Sequence, residues 1–473
     1  MSMTKNKFFV TTPIYYINDV PHIGHAYATF AADILARYHQ QIEGKTFLLT
    51  GSDENSQKTV EAARKRNLPV EKYAEEMAKT WQETWRKLNI ADGQFGFVRT
   101  TGKNHERFVQ EVFQKIHDAG FIEQGVYKGL YCVGHEAFVK NEDLDEKGLC
   151  PDHKTKPEVL EEKNYFFKLK DFEEKLKALY EKNPDFIQPI ERRNEVTSFV
   201  ARGLENISIS REKAKWGIKV PFDESQRIYV WFDALLSYYS GSPKEFWPAD
   251  VHIIGKDILR FHAVIWPAML IAADLPLPEK IFAHGFFTIN GQKISKSLGN
   301  AIDPIKISEE YGTDALRYFL FKEIPFGNDG DFSFERLKEV YNSDLANGLG
   351  NLVARVAKLC EKSKVTFKVD RPPLEFKLGE TTKYALCLND LNFQGALEEI
   401  WQRYRQLDHY LEKQKPWVIE ERSKLTPVLE YAVSEISKTN RLLEPFLPET
   451  AEKIKQQFIQ KNITSSTALF PRK

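Results

Sequence analysis

Two histidines three positions apart are the first residues with a recognisable chemical potential. His22 and His25 enclose Gly24, at the point where the sequence turns from an apolar run into a helical pattern. At that spacing both rings can lie beside the backbone N–H groups and the positive dipole end of a helix. Gly24 would let a bulky ligand approach the backbone. The pair could donate hydrogen bonds to phosphate oxygens, although ordinary turn histidines would give the same pattern.

A second candidate segment lies far along the chain and carries two lysines. It runs Gly-Gln-Lys-Ile-Ser-Lys-Ser-Leu-Gly-Asn over residues 291–300, with Lys293, Ser295, Lys296 and Ser297 at its centre. Lysines in a loop bounded by glycines could neutralise a leaving pyrophosphate, while a solvated surface turn is the plain alternative. The sequence has no Gly-x-x-x-x-Gly-Lys-Ser/Thr motif, so this segment is not a P-loop.

The elements around the histidines predict a parallel sheet. Residues 8–12 and 46–50 are short apolar runs with β-branched residues, and residues 26–38 between them have helical spacing. Strand, helix and strand in that order form a βαβ unit. Ligands bind beyond the carboxyl ends of such strands, where residues 13–25 fall.

The remaining chain predicts an insertion and a helical end. Short strands and charged turns fill about residues 120–221, and strand patterns return at 227–232 and 251–254. Helical spacing dominates from about residue 303, clearest at 314–321 and 345–360, with a loop at 368–373.

Composition narrows the class of protein. The 473 residues are 42% hydrophobic and 28% charged, with zero formal charge and only four cysteines. We expect a cytoplasmic protein, without a disulfide framework, a membrane span or a surface basic enough to bind nucleic acid everywhere.

The inserted region contains two Cys-x-x-His pairs that suit a tetrahedral metal. Cys132 and His135 form one pair, and Cys150 and His153 form the other. A closed Cys₂His₂ set is typical of structural Zn²⁺. A metal-free fold that keeps these residues without using them is the alternative.

The histidine and lysine segments together resemble the "HIGH" and "KMSKS" signatures of class I aminoacyl-tRNA synthetases. The resemblance implies ATP binding on a Rossmann-like sheet, attack of an amino-acid carboxylate on the α-phosphate, and transfer of the aminoacyl group to tRNA. It assigns catalysis to His22, His25, Lys293 and Lys296, with Mg²⁺ on the phosphates. It places ATP against His22, Gly24, His25, Gly255, Asp257, Lys293, Ser295, Lys296 and Ser297.

Further segments resemble the methionyl-tRNA synthetase family, over nearly the whole chain. They are Thr-Pro-Ile-Tyr-Tyr-Ile-Asn at 12–18, Tyr-Val-Trp-Phe-Asp-Ala at 229–234 and Gly-Lys-Asp-Ile-Leu-Arg-Phe-His at 255–262. An aromatic and aliphatic cage suits a polarisable thioether, although each aromatic taken singly could be plain core. The resemblance assigns methionine binding to Pro13, Ile14, Tyr16, Asp53, Trp231, Ala234, Leu235, Tyr238, Ile258 and His262. Asp53 would meet the substrate ammonium.

The same resemblance assigns reading of the tRNA(Met) anticodon, in initiator and elongator tRNA, to Asn351, Arg355, Pro416 and Trp417. A packed helix bundle with Trp417 in its core is the alternative. The family's insertion often carries zinc, usually with Cys where His135 stands here. Because the sequence stops soon after the bundle, without an appended dimerising module, we expect a monomer.

We therefore predict an α/β fold with a Rossmann-like parallel sheet, an inserted zinc-knuckle-type domain and a C-terminal α-helical bundle. The predicted divisions are 1–119 and 226–290 for the two halves of the sheet domain, 120–225 for the insertion, 291–345 for the lysine loop and stem-contact region, and 346–473 for anticodon binding. Three positions depart from the family pattern: Ile294 for Met, Asn55-Ser56 for His-Gly, and Leu235 for Pro. A class I synthetase for another amino acid and a non-catalytic tRNA-binding paralogue are the competing interpretations.

Overall fold

The structure is a computed structural model that describes residues 7–90, 95–133, 137–139, 141–151, 154–289, 291–293, 301–367 and 382–473. The first part contains β1 (Phe8–Tyr16), α1 (Ile23–Glu43), β2 (Thr46–Asp53), α2 (Gln57–Lys65), α3 (Val70–Lys87), β3 (Phe95–Arg99) and α4 (Lys103–Asp118). Next come β4 (Ile122–Cys132), β5 (Ala137–Val139), β6 (Glu158–Phe167), α5 (Glu173–Lys182), β7 (Ile187–Gln188), α6 (Ile190–Ala201), β8 (Ile207–Ser208), β9 (Ser210–Arg211), β10 (Lys219–Val220) and β11 (Asp223–Ile228).

The second half of the chain completes the sheet and then becomes helical. It begins with α7 (Val230–Ser240), β12 (Val251–Gly255), α8 (Trp266–Ala272), β13 (Ile281–His284), β14 (Phe287–Ile289), β15 (Gln292–Lys293), α9 (Pro304–Tyr311), α10 (Thr313–Glu323), β16 (Gly330–Asp331) and α11 (Phe334–Val340). A π-helical stretch (Tyr341–Gly350) leads into α12 (Asn351–Ser363), α13 (Lys383–Asn389), α14 (Phe393–Gln414), α15 (Arg422–Leu443) and α16 (Pro448–Phe458).

Six parallel strands form the central sheet, in the order β3-β2-β1-β12-β13-β7. The chain order reverses between β1 and β12, so the crevice beyond their carboxyl ends is the place where such sheets bind ligands. The parallel α/β core and the helical C-terminal region are confirmed. The edge strand β7 comes from the segment predicted as an insertion, while the predicted domain limits themselves stay a prediction.

Alternating side chains of β1 enter different cores, as the two-residue strand period requires. Val10 packs into one apolar cluster with α1 and the C-terminal helices. Phe9 packs on the other face with residues of α4, α7 and α8. The sheet is thus covered on both faces, and the C-terminal helices share a core with the first helix.

The predicted strand at 227–232 is wrong beyond its first residues. β11 ends at Ile228, and α7 begins at Val230 with Tyr229 as its N-cap. Because α7 is buried on nearly every side, its sequence is an apolar run without helical period, which pattern alone does not distinguish from a buried strand. The predicted loop at 368–373 lies outside the described residues.

Among the parts of the chain described, no helix is long and apolar enough to cross a bilayer. The strand β4, which ends at Cys132, belongs to a separate antiparallel sheet, β5-β4-β6-β8.

Candidate functional site

The two histidines lie at the start of α1, directly after the loop that leaves β1. His22 is the N-cap residue, and its ring stacks on that of His25 with 3.7 Å between centroids. The Nδ1 atom of His22 accepts a hydrogen bond from the backbone N–H of Gly24 at 3.1 Å. The Nδ1 atom of His25 accepts one from the backbone N–H of His22, also at 3.1 Å. Each neutral imidazole therefore carries its hydrogen on Nε2. Both Nε2–H groups belong to a helix N-terminus, where anions bind.

Gly24 has no side chain and therefore leaves room for the His22 ring. A Cβ atom there would lie 3.0 Å from Cε1 and 3.1 Å from Nδ1 of His22. A side chain at residue 24 would therefore push the His22 ring away from its backbone donor.

The two residues expected to hold adenosine lie at the end of the neighbouring strand and in the 3₁₀ turn that follows it. Gly255 is the last residue of β12 and is paired in register with His284 of β13. A Cβ at Gly255 would lie 2.6 Å from the Oδ1 atom of the exposed Asp257. The carboxyl ends of β1, β12 and β13 thus bring His22, Gly255, Asp257 and His284 to one edge of the sheet. His284 was missed by the sequence analysis, although a histidine at a strand end is a signal that could have revealed it.

Only the beginning of the lysine segment is described. The backbone of Lys293 belongs to β15, opposite Thr288 of β14; its side chain, Ser295, Lys296 and Ser297 lie outside what the structure describes. Just past the segment, the carbonyl of Ile302 accepts from the N–H of Ile23 at 3.0 Å. The start of α1 is therefore bonded to the chain that follows the lysines.

The predicted aromatic cage comes together between α7 and the turn after β12. Trp231 stacks on Phe261 at 3.9 Å and meets Tyr16 edge-on at 6.4 Å. Ala234 and Leu235 are buried on α7, while Ile258 is half-buried beside it. The buried Nε1 of Trp231 has no hydrogen-bond acceptor within the described part of the chain. A bound molecule could supply that acceptor.

Tyr238 and His262 form a buried hydrogen bond in this cage. The Nδ1 atom of His262 faces the carbonyl of Ile258 at 3.0 Å, and Nε2 lies 2.7 Å from the Tyr238 hydroxyl. Burial lowers the pKa of His262 to about 4 and raises the pKa of Tyr238. At neutral pH the imidazole is thus uncharged, donates through Nδ1 and accepts the tyrosine hydrogen through Nε2. The pair presents a neutral surface.

Asp53 ends β2 directly opposite Tyr16, and its side chain is 3% exposed. Pro13 is buried and Ile14 half-buried in the same stretch of β1. The ammonium of Lys58 lies over the Tyr16 ring, 4.4 Å from its centroid. A carboxylate and an aromatic cage therefore adjoin, which fits a ligand with a cationic end and an apolar end.

The segment after Asp53 is held by more bonds than the sequence suggested. The Glu54 carboxylate, fully buried, accepts from Arg99 at 2.8 and 3.0 Å, and the Glu54 carbonyl accepts from Trp216 at 2.8 Å. Asn55 and Ser56, the two departures from the family pattern, also have clear local roles. Ser56 caps α2 through Thr59, and Asn55 donates to Asp233 of α7.

Half of the predicted metal set is described. Cys132 and Cys150 are both 1% exposed and form no disulfide, and the Cys150 carbonyl accepts from the backbone N–H of Lys154. His135 and His153 lie outside the described residues. Within those residues no group of three or more metal-ligating side chains occurs, so the knuckle stays a prediction.

The four residues predicted to read the anticodon lie on one end of the helical region. Asn351 and Arg355 are one turn apart on α12, and Arg355 pairs with Asp408 and with Glu412, the latter at 3.0 Å. Glu412 lies in the last turn of α14, just before the 3₁₀ turn that contains Pro416 and Trp417. Pro416 is buried in that turn. Trp417 is 46% exposed, so the alternative that it belongs to the bundle core is wrong.

Asn351 also lines a cavity of about 280 Å³ that the sequence did not reveal. Asn347 and Arg472 line it too, and the Arg472 guanidinium donates to Asn347 Oδ1 at 2.7 and 3.0 Å. The two residues are 125 positions apart, so no local pattern could have paired them.

The parallel sheet with its switch point, the histidine pair and the adjoining cage define a class I aminoacyl-tRNA synthetase. The family described as tRNA synthetases class I (M) matches residues 8–156 and 152–357. The chain is 41% identical to the methionine–tRNA ligase of Streptomyces coelicolor, over 94% of this chain and 88% of that protein. It is also 41% identical to the one of Rickettsia felis, over 96% and 92%.

Solved structures agree with these relatives. A Mycobacterium tuberculosis methionyl-tRNA synthetase in complex with methionyl-adenylate superposes with a TM-score of 0.91 at 36% identity, covering 98% of this chain and 100% of that one. The chain belongs to the methionine–tRNA ligase family. The predicted family is thereby confirmed.

Proposed function

We propose that this chain activates L-methionine with ATP and transfers it to initiator and elongator tRNA(Met). In the first step a methionine carboxylate oxygen bonds to the α-phosphorus of ATP, and pyrophosphate leaves. In the second step a hydroxyl of the terminal ribose of tRNA attacks the methionyl carbonyl, and AMP leaves. The observation that carries this proposal is the pair of Nε2–H donors at the start of α1, beside the switch point of the sheet.

Phosphate binding is the role of His22 and His25. Their two Nε2–H groups and the dipole of α1 stabilise charge that develops on the phosphate oxygens during displacement. Lys293, Ser295, Lys296 and Ser297 act on the pyrophosphate, and Mg²⁺ arrives with ATP as part of the substrate. Gly255 and Asp257 hold the adenosine, since Gly255 ends the strand next to β1 and Asp257 lies in the turn directly after it.

Methionine binding divides between one charged and one neutral region. Asp53 receives the substrate ammonium. The side chain enters the cage formed by Pro13, Ile14, Tyr16, Trp231, Ala234, Leu235, Tyr238, Ile258 and His262. A neutral His262 and Tyr238 fit an uncharged thioether, and the Trp231 Nε1–H finds its acceptor in the ligand.

The remaining assignments concern RNA, zinc and assembly. Exposed Trp417 can stack on an unpaired anticodon base while Asn351 and Arg355 contact base edges. The buried thiols of Cys132 and Cys150 suit Zn²⁺ together with His135 and His153 in a structural Cys₂His₂ knuckle. Four cysteines without a disulfide suit a reducing, cytoplasmic compartment. We propose a monomer, which sedimentation would test.

The decisive experiment is ATP–pyrophosphate exchange with each of the twenty amino acids, followed by charging of both tRNA(Met) species. We expect exchange with methionine and charging of both. Exchange with another amino acid would support the first competing interpretation, and no exchange would support a non-catalytic paralogue. Elemental analysis of the purified protein decides whether zinc is bound.

A further inference from the structure

Two buried side chains, Asp233 and His105, and the half-buried Asn55 form a continuous hydrogen-bonded chain beside the amino-acid site. The Asp233 carboxylate, 1% exposed, contacts His105 Nε2 through Oδ1 and accepts from Asn55 Nδ2 through Oδ2 at 2.7 Å. His105 is 3% exposed, and its Nδ1 atom lies 2.6 Å from the Ser240 hydroxyl. Asn55 also donates to the carbonyl of Thr100 at 3.1 Å. Each oxygen of Asp233 therefore has its own partner.

The chain connects the two regions that contact methionine in the proposed function. Asn55 follows Asp53 by two residues, at the end of β2. Asp233 lies in the first turn of α7, between Trp231 and Ala234 of the cage. Thus the ammonium-binding end of β2 and the cage-bearing start of α7 are bonded to each other through Asp233.

Burying a carboxylate costs desolvation free energy, so stability alone does not explain why one joins these two elements. Apolar side chains of similar volume commonly stabilise a core as well or better. The carboxylate adds specificity of position, because directional hydrogen bonds fix the relative placement of the two elements more narrowly than apolar packing does. The positive end of α7 partly offsets the cost of burying the charge.

We propose that His105 is a positioning residue for the amino-acid substrate. By fixing Asp233, it holds Asn55 and so sets the distance from the Asp53 carboxylate to the cage on α7. The substrate must span that distance between its ammonium and its side chain. This inference rests on the proposed function, and it assigns His105 no contact with substrate.

The test compares His105→Leu with His105→Gln in ATP–pyrophosphate exchange. Leucine removes the donor to Asp233, whereas the glutamine amide nitrogen can replace Nε2. We expect His105→Leu to raise KM for methionine about tenfold, as the loss of one hydrogen bond to a charged group would. KM for ATP stays within about twofold, and His105→Gln restores most of the methionine KM.

A second variant keeps the test decisive if His105→Leu does not fold. Asn55 is only half-buried, and Asn55→Ala should raise KM for methionine in the same selective way. Tyr180→Phe is the control, because it removes another buried hydrogen bond, 2.6 Å from the hydroxyl to the Ala263 carbonyl, in the same core. We expect it to lower thermal stability without a change in either KM.

Two results would overturn the positioning role. One is a His105→Leu or Asn55→Ala enzyme with lower stability and an unchanged methionine KM. The other is an equal rise of both KM values that glutamine does not restore. If the wild-type enzyme exchanges with a different amino acid, only the methionine assignment is overturned. The KM values of the His105 variants are then compared for that amino acid, and the positioning role is tested in the same way. Absence of all exchange overturns both.

Discussion

Arg317 of α10 and Asp33 of α1 form an ion pair of 2.7 Å in which both side chains are fully buried. The same guanidinium donates to the carbonyls of Pro445 and Phe446 at 2.8 and 2.7 Å. One side chain thus joins the helix that begins at the histidine pair to the helical C-terminal region.

Replacing Arg317 by methionine should strongly destabilise the fold. The variant leaves Asp33 buried with less compensation and two carbonyls without their donor, so we expect the free energy of unfolding to fall by about 3–5 kcal/mol. Urea unfolding followed by circular dichroism measures it. Arg37→Met is the matched control, because Arg37 contacts the same Asp33 oxygen at 2.9 Å but is 21% exposed. Its cost should be clearly smaller, because Arg317 still pairs with Asp33 in that variant. Equal costs for the two variants would refute the central role of Arg317.

Asp314 should make stability depend on pH. Burial raises the pKa of its carboxyl from 3.8 to about 6, although Oδ2 accepts from the Thr450 N–H at 2.6 Å. The folded protein therefore keeps a proton that the unfolded chain releases near pH 4. The stability from that proton is complete below pH 3.8 and is lost as the pH rises through 6.

The variant Asp314→Asn should lack this dependence. Relative to wild type, its free energy of unfolding should rise by up to about 3 kcal/mol between pH 4 and pH 7. Urea titrations of both proteins at several pH values in that range give the difference directly. A difference that stays constant with pH would contradict the raised pKa.

Gly24→Ala should impair catalysis more than folding. The added methyl lies 3.0 Å from Cε1 of His22, so the ring must shift by a few tenths of an ångström. Because a misplacement of about 1 Å in a catalytic group can cost about a hundredfold in rate, we expect kcat for pyrophosphate exchange to fall by up to about tenfold, with little change in melting temperature. Gly348→Ala is the control, since the new Cβ would lie at an ordinary 3.4 Å from the Ser343 carbonyl. An unaffected exchange rate in Gly24→Ala would show that the His22 position is unimportant.

Trp417→Ala should separate the two steps of the reaction. Loss of one stacked base costs about 1–3 kcal/mol, so kcat/KM for tRNA should fall about tenfold to a hundredfold. Pyrophosphate exchange, which needs no tRNA, should be unchanged. Tyr431→Ala removes an aromatic side chain that is equally exposed, at 46%, and should affect neither assay. Parallel losses in the Trp417 and Tyr431 variants would argue against anticodon stacking.

Sequence alone predicted the features whose signal is local. The βαβ unit, the position of His22 at a helix start and the helical C-terminal region each depend on patterns within a few residues. Features that depend on distant partners were not visible. Asp233 lies 178 positions from Asn55 and 128 from His105. The predicted strand at 227–232 runs into the start of its helix, because burial on nearly all sides hides the helical period. The cage residues were found through resemblance to a family rather than through spacing.

The position of β1 in the sheet has a consequence for how the protein is made. One edge of β1 pairs with β2, which is nearby in sequence. The other edge pairs with β12, in a register that places Val10 opposite Val251. During synthesis the first strand must therefore keep one apolar, unpaired edge until more than half of the chain has left the ribosome. Such late, non-local pairing slows folding and exposes the nascent chain to aggregation. We expect the yield of folded protein to depend on chaperones that shield this edge, independently of how stable the finished enzyme is.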